Sequence, residues 1–305
     1  MTDLRASYDV VIIGGGPAGL SAATVLGRCL RRVLLCDAGS PRNAASAGMH
    51  CYLSRDGIAP AAFLAAARED LARYPTVEAL SCVVEQVARH AGGFIVDVGA
   101  HGRFAARKLL FATGVVDILP DIGDFDRFYG RSIHHCPYCD GFEHRGETIA
   151  VYGQGEKGAG LALMMRQWSE HVFLLTNGPA GLDDVRRGQV TGQGIAIDET
   201  PVAALEGDAP HLAAVRLIDG RRIACTALFF NTGQAQRSPL LAALSCETTG
   251  KGGIVVGEHE QTNVPGVFVA GDASRDVQLV IVAAAEGAIA AKAIHAELLA
   301  EDGLC

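Results

Sequence analysis

Two stretches of the chain follow the same hydrophobic rhythm. From Tyr8 the run YDVVII is apolar and β-branched, then breaks at GGGPAG into LSAATVLGR, whose small apolar residues recur at helical spacing. The pattern predicts a buried strand, a tight turn and a helix. A second apolar run, RRVLLCDAG, predicts a neighbouring strand ending at Asp37. Farther along, ETIAVYGQGEKGAGLALMMRQW repeats strand, glycine turn and helix. Each copy continues through alternating strand-like segments to a similar closing run, KLLFATG up to Gly114 and ALFFNTG up to Gly233. The first copy also carries an inserted loop and helix between Ser40 and Tyr74. After Gly233 no third copy begins. Instead VPGVFVAGDASRDVQLVIVAAAEGAIAAKAIHAELLA predicts a strand, a Gly-Asp loop and a long helix.

The repeat is read as a duplicated architecture in which the second copy interrupts the first. Residues 1–115 and 240–305 are expected to form one domain and 116–239 the other, with a hinge at the crossings. The turns are Gly14-x-Gly16-x-x-Gly19 and Gly153-x-Gly155-x-x-Gly158. Such glycines allow a tight turn, close approach of a pyrophosphate and close packing of helix on strand, while the helix N-terminus offers free N–H groups to phosphates. Asp37 lies where a carboxylate would accept hydrogen bonds from an adenosine ribose. Two dinucleotide sites are implied.

Composition narrows the partners. With 305 residues, 49% hydrophobic and 20% charged, the chain can build two sizeable cores. The formal charge of −8 comes without a basic stripe, so neither nucleic acid nor an anionic membrane is an expected partner. Asp3, Arg5 and Asp9 interrupt any signal-peptide pattern and Val10 to Ile13 is too short to span a bilayer, so a cytoplasmic location is expected. Of nine cysteines, Cys29, Cys36, Cys51, Cys82, Cys225, Cys246 and Cys305 follow no framework spacing, which suits buried thiols in a reducing compartment.

The other two lie in RSIHHCPYCDGFEHRG, residues 131–146. Cys136 and Cys139 serve equally as half of a zinc site or as a redox dithiol. Zinc would draw on Cys136, Cys139, His135 and His144, but no second cysteine pair follows. Glutaredoxin-like proteins also carry Cys-Pro-Tyr-Cys, at the start of a helix in a small domain that is not visible here.

In order, GGGPAG, the closing ATG, Cys-x-x-Cys-Asp-Gly, the second glycine turn and VFVAGD resemble the thioredoxin reductase family of flavoprotein disulfide oxidoreductases, over nearly the whole chain. The resemblance implies an α/β fold of two Rossmann-like three-layer (β/β/α) domains, one inserted in the other, in a homodimer. It implies FAD at the first site, held by Gly14, Gly16, Pro17, Ala18, Gly19, Asp37, Asn43, Thr113, Gly114, Gly271, Asp272, Gln278 and Leu279. Asp272 would meet the ribityl hydroxyls, and the helix from about Gln278 and Leu279 would aim its N-terminus at the flavin ring. Gly153, Gly155 and Gly158 would bind NADPH, which together with FAD completes the cofactor set. A domain rotation would let nicotinamide and disulfide take turns at one flavin face.

By the same resemblance Cys139 faces the flavin, Cys136 exchanges with the outside disulfide, and Asp140 is the acid/base; no metal is expected. Exchange needs a thiolate to attack and a proton for the leaving sulfur, which gives a neighbouring carboxylate a chemical task. His134 and His135 could lower a thiol pKa or act as a further base, and His135 is the expected one. A flavin is a suitable relay between a hydride donor and a dithiol, since each exchanges two electrons. Partners would be a thioredoxin-like protein or a small disulfide or dithiol.

Two departures bear on this expectation. Where the family places a His-Arg-Arg run for the NADPH phosphate, this chain has Thr176, Asn177 and Gly178, with no acidic residue for NAD either. NADPH, NADH and no nucleotide all stay open; Arg186 and Arg187 read as a solvated helix face rather than a phosphate site. Cys-Pro-Tyr-Cys also differs from the usual Cys-Ala-Thr-Cys and is similar to oxygen-dependent dithiol oxidases, which make a disulfide and hydrogen peroxide, although those usually carry His where Asp140 stands. A ferredoxin-fed relative and a non-turnover redox sensor are further alternatives.

Overall fold

A computed structural model describes residues 4–304; Asp3 and Cys305 lie outside the described residues. In chain order, β1 (Leu4–Ile13), α1 (Pro17–Arg28), β2 (Val33–Asp37), α2 (Pro60–Leu71), β3 (Val77–Ser81), β4 (Gln86–His90), β5 (Gly93–Asp97), β6 (Arg103–Phe111) and β7 (Val115–Asp117) come first. Then follow β8 (Ile133–His134), α3 (Pro137–Asp140), β9 (Thr148–Tyr152), α4 (Gly155–Met165), β10 (His171–Leu175), α5 (Asp184–Gly192), β11 (Ala196–Asp198), β12 (Val202–Glu206), β13 (Ala214–Leu217), β14 (Arg222–Ala224) and β15 (Ala227–Phe230). The chain ends with β16 (Gln234–Gln236), α6 (Leu240–Ala243), β17 (Val267–Val269) and α7 (Val280–Glu301).

In the first unit β3-β2-β1-β6 run parallel, with β17 parallel on the C-terminal half of β6. The N-terminal half of β6 instead pairs antiparallel with β5, which pairs with β4. Residues two apart along a strand share a face. Val10 and Ile12 of β1, with Leu110 of β6, therefore pack under α1 and α7, whereas Val11, Ile13, Leu109 and Phe111 face the layer built on β4 and β5. That is the three-layer arrangement. A Cβ on Gly287 would come within 2.0 Å of the Ala18 carbonyl oxygen, so glycine lets α7 lie against α1.

The second unit repeats the plan as a parallel sheet β11-β10-β9-β15-β8 and an antiparallel β12-β13-β14 meander. Ile149, Val151 and Phe229 pack beneath α4 and α5, whereas Ala150, Leu228 and Phe230 face the meander. One strand is placed differently in chain order. The strand beside the closing strand is β17, from the chain's end, in the first unit, but β8, from the unit's beginning, in the second.

The first unit gathers the chain up to Ala44, Cys51–Val116 and the chain from Gln234; the second gathers Ala45–His50 and Asp117–Gly233. The return thus falls at 233/234 rather than near 240, since Gln234–Gln236 already forms a strand paired with β7. Ala45 packs against Gly130, and His50 lies 3.6 Å from the Glu143 carboxylate, which ties the short outlying segment to the second unit.

Candidate active site

Cys136 and Cys139 are joined in a disulfide with their Cα atoms 5.3 Å apart. Pro137 fixes the first residue of α3, where its missing N–H costs nothing, so the segment turns helical immediately after Cys136. Cys136 caps this helix, and the Cys139 N–H donates to its Sγ at 3.2 Å. Such a bond favours negative charge on that sulfur once the pair is reduced. Both sulfurs belong to half-buried residues, flanked by the exposed aromatic rings of Tyr138 and Phe142.

The parallel pairing of β8 with β15 sets His134 beside Phe229, and its buried ring lies 5.4 Å from the phenyl centroid. Its Nδ1 is 3.2 Å from Oδ1 of Asp140. Its Nε2 is 3.0 Å from the Arg131 carbonyl oxygen and 2.9 Å from Nε2 of His144. His144 in turn sets Nδ1 2.8 Å from Oε2 of Glu147, which accepts from the Thr226 hydroxyl at 2.8 Å. Burial works against charge on Glu147, yet the bonds from His144 and Thr226 outweigh it and hold its carboxyl below the ordinary range. His135 faces a different group, with Nδ1 3.4 Å from the Tyr129 hydroxyl and 3.8 Å from Asp117. The four residues considered for zinc are therefore not brought together: the two sulfurs bond each other, and the two imidazoles belong to separate clusters.

The first glycine turn has the shape of a flavin nucleotide site. Gly14 adopts φ +113°, and a Cβ there would lie 2.2 Å from the Ala112 carbonyl oxygen. Gly16, capping α1, has open space where its side chain would be, which leaves room for a phosphate at the helix N-terminus. Asp37 closes β2; burial opposes its charge, but the Gly39 N–H and Arg68 hold its pKa below the ordinary value. Just past β6 the Thr113 hydroxyl is buried with no hydrogen-bond partner among the described residues, as expected of a group that serves a ligand. Arg42 reaches Asp272 at 2.9 Å and Gln278 at 2.6 Å, while Asn43 sits half-buried in the turn beside it. Leu279 caps α7, one residue past the expected start. These residues fit FAD.

The second turn fits a pyridine dinucleotide only in part. Gly155 takes φ +56°, and a Cβ on Gly158 would lie 2.4 Å from the Gly153 carbonyl carbon, so the close strand-to-helix turn is built. At the end of β10, however, Asn177 and Gly178 have φ values of 52° and 128°, and the Gln154 amide donates to the Thr176 carbonyl oxygen at 2.7 Å. Arg186 is paired with Glu156 at 3.0 Å and Arg187 with Glu199. Both arginines of α5 are thus engaged with carboxylates.

Residues 8–287 match the model of the pyridine nucleotide-disulphide oxidoreductase family. A thioredoxin reductase of Claviceps purpurea is 32% identical over 304 residues, covering 96% of this chain and 95% of its own. Among solved structures, an oxidoreductase of Agrobacterium tumefaciens is 35% identical with a TM-score of 0.89, covering 96% of this chain and 99% of its own. The structure of HlmI is 36% identical with a TM-score of 0.92, covering 97% and 94%. The chain belongs to the thioredoxin reductase-like pyridine nucleotide-disulphide oxidoreductases. It is accordingly an enzyme, an FAD-dependent disulfide oxidoreductase, and the pair in α3 is where that family description meets this chain's sulfur chemistry.

For this thioredoxin reductase-like chain, sequence reasoning singled out Cys136, Cys139 and Asp140, which the structure holds in one short helix. It preferred His135, but the imidazole that meets Asp140 is that of His134. The contacts of Glu147 with His144 and of Arg42 with Asp272 were not expected, because neither residue stands in a motif. His134 is the second residue of β8, and both residues of this short strand are buried.

Proposed function

We propose that the enzyme carries electron pairs between a reduced pyridine nucleotide and an external disulfide, by way of FAD and the Cys136–Cys139 pair. Bound FAD would supply a two-electron relay between nucleotide and dithiol. Gly14, Gly16, Pro17, Ala18 and Gly19 would bind its pyrophosphate, Asp37 its adenosine ribose, and Gly271, Asp272 and Gln278 the flavin half. Cys136 would meet the outside sulfur, a role supported by the Cys139 N–H that stabilises its thiolate. Cys139 would exchange electrons with the flavin, and Asp140 would protonate the leaving sulfur. The substrate would be a thioredoxin-like protein or a small disulfide, and the enzyme a homodimer. No described helix is long and apolar enough to cross a membrane.

The observation that carries this reading is the disulfide itself, capping α3 with a carboxylate next in sequence to the second sulfur. A second reading, oxygen-dependent oxidation of a small dithiol, is favoured by the ion-paired Arg186 and Arg187 and by the Gln154 side chain bonded across the turn. Anaerobic mixing of the flavin-loaded protein with NADPH, NADH or a small dithiol separates the two. Bleaching of the flavin by a nucleotide on a catalytic timescale is the expected result. Bleaching by the dithiol alone, followed by peroxide release in air, would replace the reductase reading with the oxidase.

A further inference from the structure

We propose that His134, His144 and Glu147 are positioning residues that keep one proton in store beside Asp140 and connect it to solvent during thiol–disulfide exchange. The proposal rests on the reading of Cys136–Cys139 as an exchanging pair, and it assigns tasks to three side chains outside every motif.

The geometry of His134 carries it. Its Nε2 faces the Arg131 carbonyl oxygen at 3.0 Å, which can only accept, and the Nε2 of His144 at 2.9 Å. A proton therefore belongs on Nε2. On the other side of the ring, Nδ1 lies 3.2 Å from Oδ1 of Asp140, an ion-pair distance at which a proton placed on Nδ1 would be shared with the carboxyl. With that second proton in place, the pair would be imidazolium beside carboxylate or neutral imidazole beside carboxylic acid. Either form has one proton more than a neutral histidine beside an ionised aspartate. The relay would deliver this proton to the sulfur of Cys139, next to Asp140 in sequence.

His144 completes the path. Its Nδ1 donates to Glu147, whose carboxyl is held ionised by that bond and by Thr226, so its Nε2 presents a lone pair to His134. A proton crossing from one Nε2 to the other transfers the charge from His134 to His144. From there it can leave through Glu147, whose side chain is 39% exposed, whereas that of His134 is 5% exposed. From β15 the groups facing this pair are the Phe229 ring, 5.4 and 6.1 Å from the two imidazole centroids, and Thr226 ahead of it. The Phe229 ring brings no competing charge.

An external thiol loses its proton to solvent and attacks Cys136 Sγ; the S–S bond breaks, and its electron pair goes to Cys139 Sγ. That thiolate takes the stored proton from Asp140, giving a mixed disulfide on Cys136 and a thiol on Cys139. Another proton then returns by Glu147, His144 and His134. The relay has no part in electron transfer, so it serves either direction of flow.

The test uses the full-length, FAD-containing protein and measures rapid reduction of its disulfide by dithiothreitol from about pH 5.5 to about 9, in light and heavy water. Glu147→Gln and His144→Ala are each expected to slow exchange about 10- to 100-fold. Each should also reduce a several-proton isotope inventory to a single proton, and added imidazole should restore the rate of the alanine variant. Glu147→Gln alters only a half-exposed group, so it stays informative if the alanine variant folds poorly. Wild-type rates and inventories in both variants would overturn the relay, as would slowing with an unchanged inventory and no rescue. A wild-type disulfide that did not exchange at all would overturn the functional reading, and the relay with it.

Discussion

At the residue scale, Cys136 and Cys139 are distinguished by one hydrogen bond. The Cys139 N–H points at the Cys136 sulfur, so charge on reduction is favoured there. Cys136→Ser is expected to lose at least about a thousandfold in exchange with an external disulfide, because an alcohol does not replace a thiolate nucleophile. Full exchange in that variant, read as mixed-disulfide formation with a chromogenic disulfide, would reverse the assigned roles. The pair itself was legible from its spacing and company. The histidine partner was not legible, because the sequence does not say which of two adjacent imidazoles is turned toward α3. His134 and His135 accordingly reach different clusters.

At the scale of elements, apolar periodicity specified the strands and helices around both glycine turns, because buried parallel strands and the helices covering them need continuous and 3.6-periodic patterns. Polar chemistry along α7 was less legible. Glu286 on this helix accepts from the Gly271 N–H at 2.7 Å, and Arg275, 3.1 Å away, also reaches the fully buried Glu260. Nothing in an alanine-rich run announces that contact. Burial pushes the Glu286 pKa up from the ordinary 4.5 to about 7, and nearby Glu260 adds to the rise. A carboxyl with a raised folded-state pKa contributes stability that is complete below the unfolded value and is lost as pH rises through the folded one. Its contribution is thus present near pH 4.5 and disappears through about pH 7. Glu286→Gln removes the titration and keeps an acceptor for Gly271. The thermal midpoint of the variant relative to wild type should therefore move upward between about pH 5 and about pH 8, by the equivalent of a few kcal/mol at most. A relative midpoint that stayed level across this range would show that Arg275 keeps Glu286 charged throughout.

At the scale of the whole molecule, the duplication was legible because both copies need the same turn, and the final strand was expected to return to the first unit, whereas the strand that flanks each closing strand was not legible. Its place depends on pairing between segments remote in sequence, β17 with β6 and β8 with β15, and short apolar runs do not encode their partners. The copies also differ in what their turns can hold. In the first, an open Gly16, a charged Asp37 and an orphaned Thr113 hydroxyl fit a flavin nucleotide. In the second, the end of β10 is shaped by two left-handed residues, and the Asn177 side chain accepts from the Val202 N–H at 2.8 Å, so this corner is spent on holding the chain. An arginine placed at Gly178, with φ of 128°, would strain the backbone. The arginines of α5 are held by Glu156 and Glu199, leaving a third phosphate to compete with carboxylates for them. NADPH should therefore outpace NADH in anaerobic flavin reduction by less than about tenfold, since the one bidentate charge contact that separates the two nucleotides is missing. The ratio of the two second-order rate constants, measured at low nucleotide concentration, decides it. A preference for NADPH beyond about a hundredfold would require Arg186 or Arg187 to leave its carboxylate for the phosphate. Removing that competition, by Glu156→Gln and Glu199→Gln, should then raise the preference further.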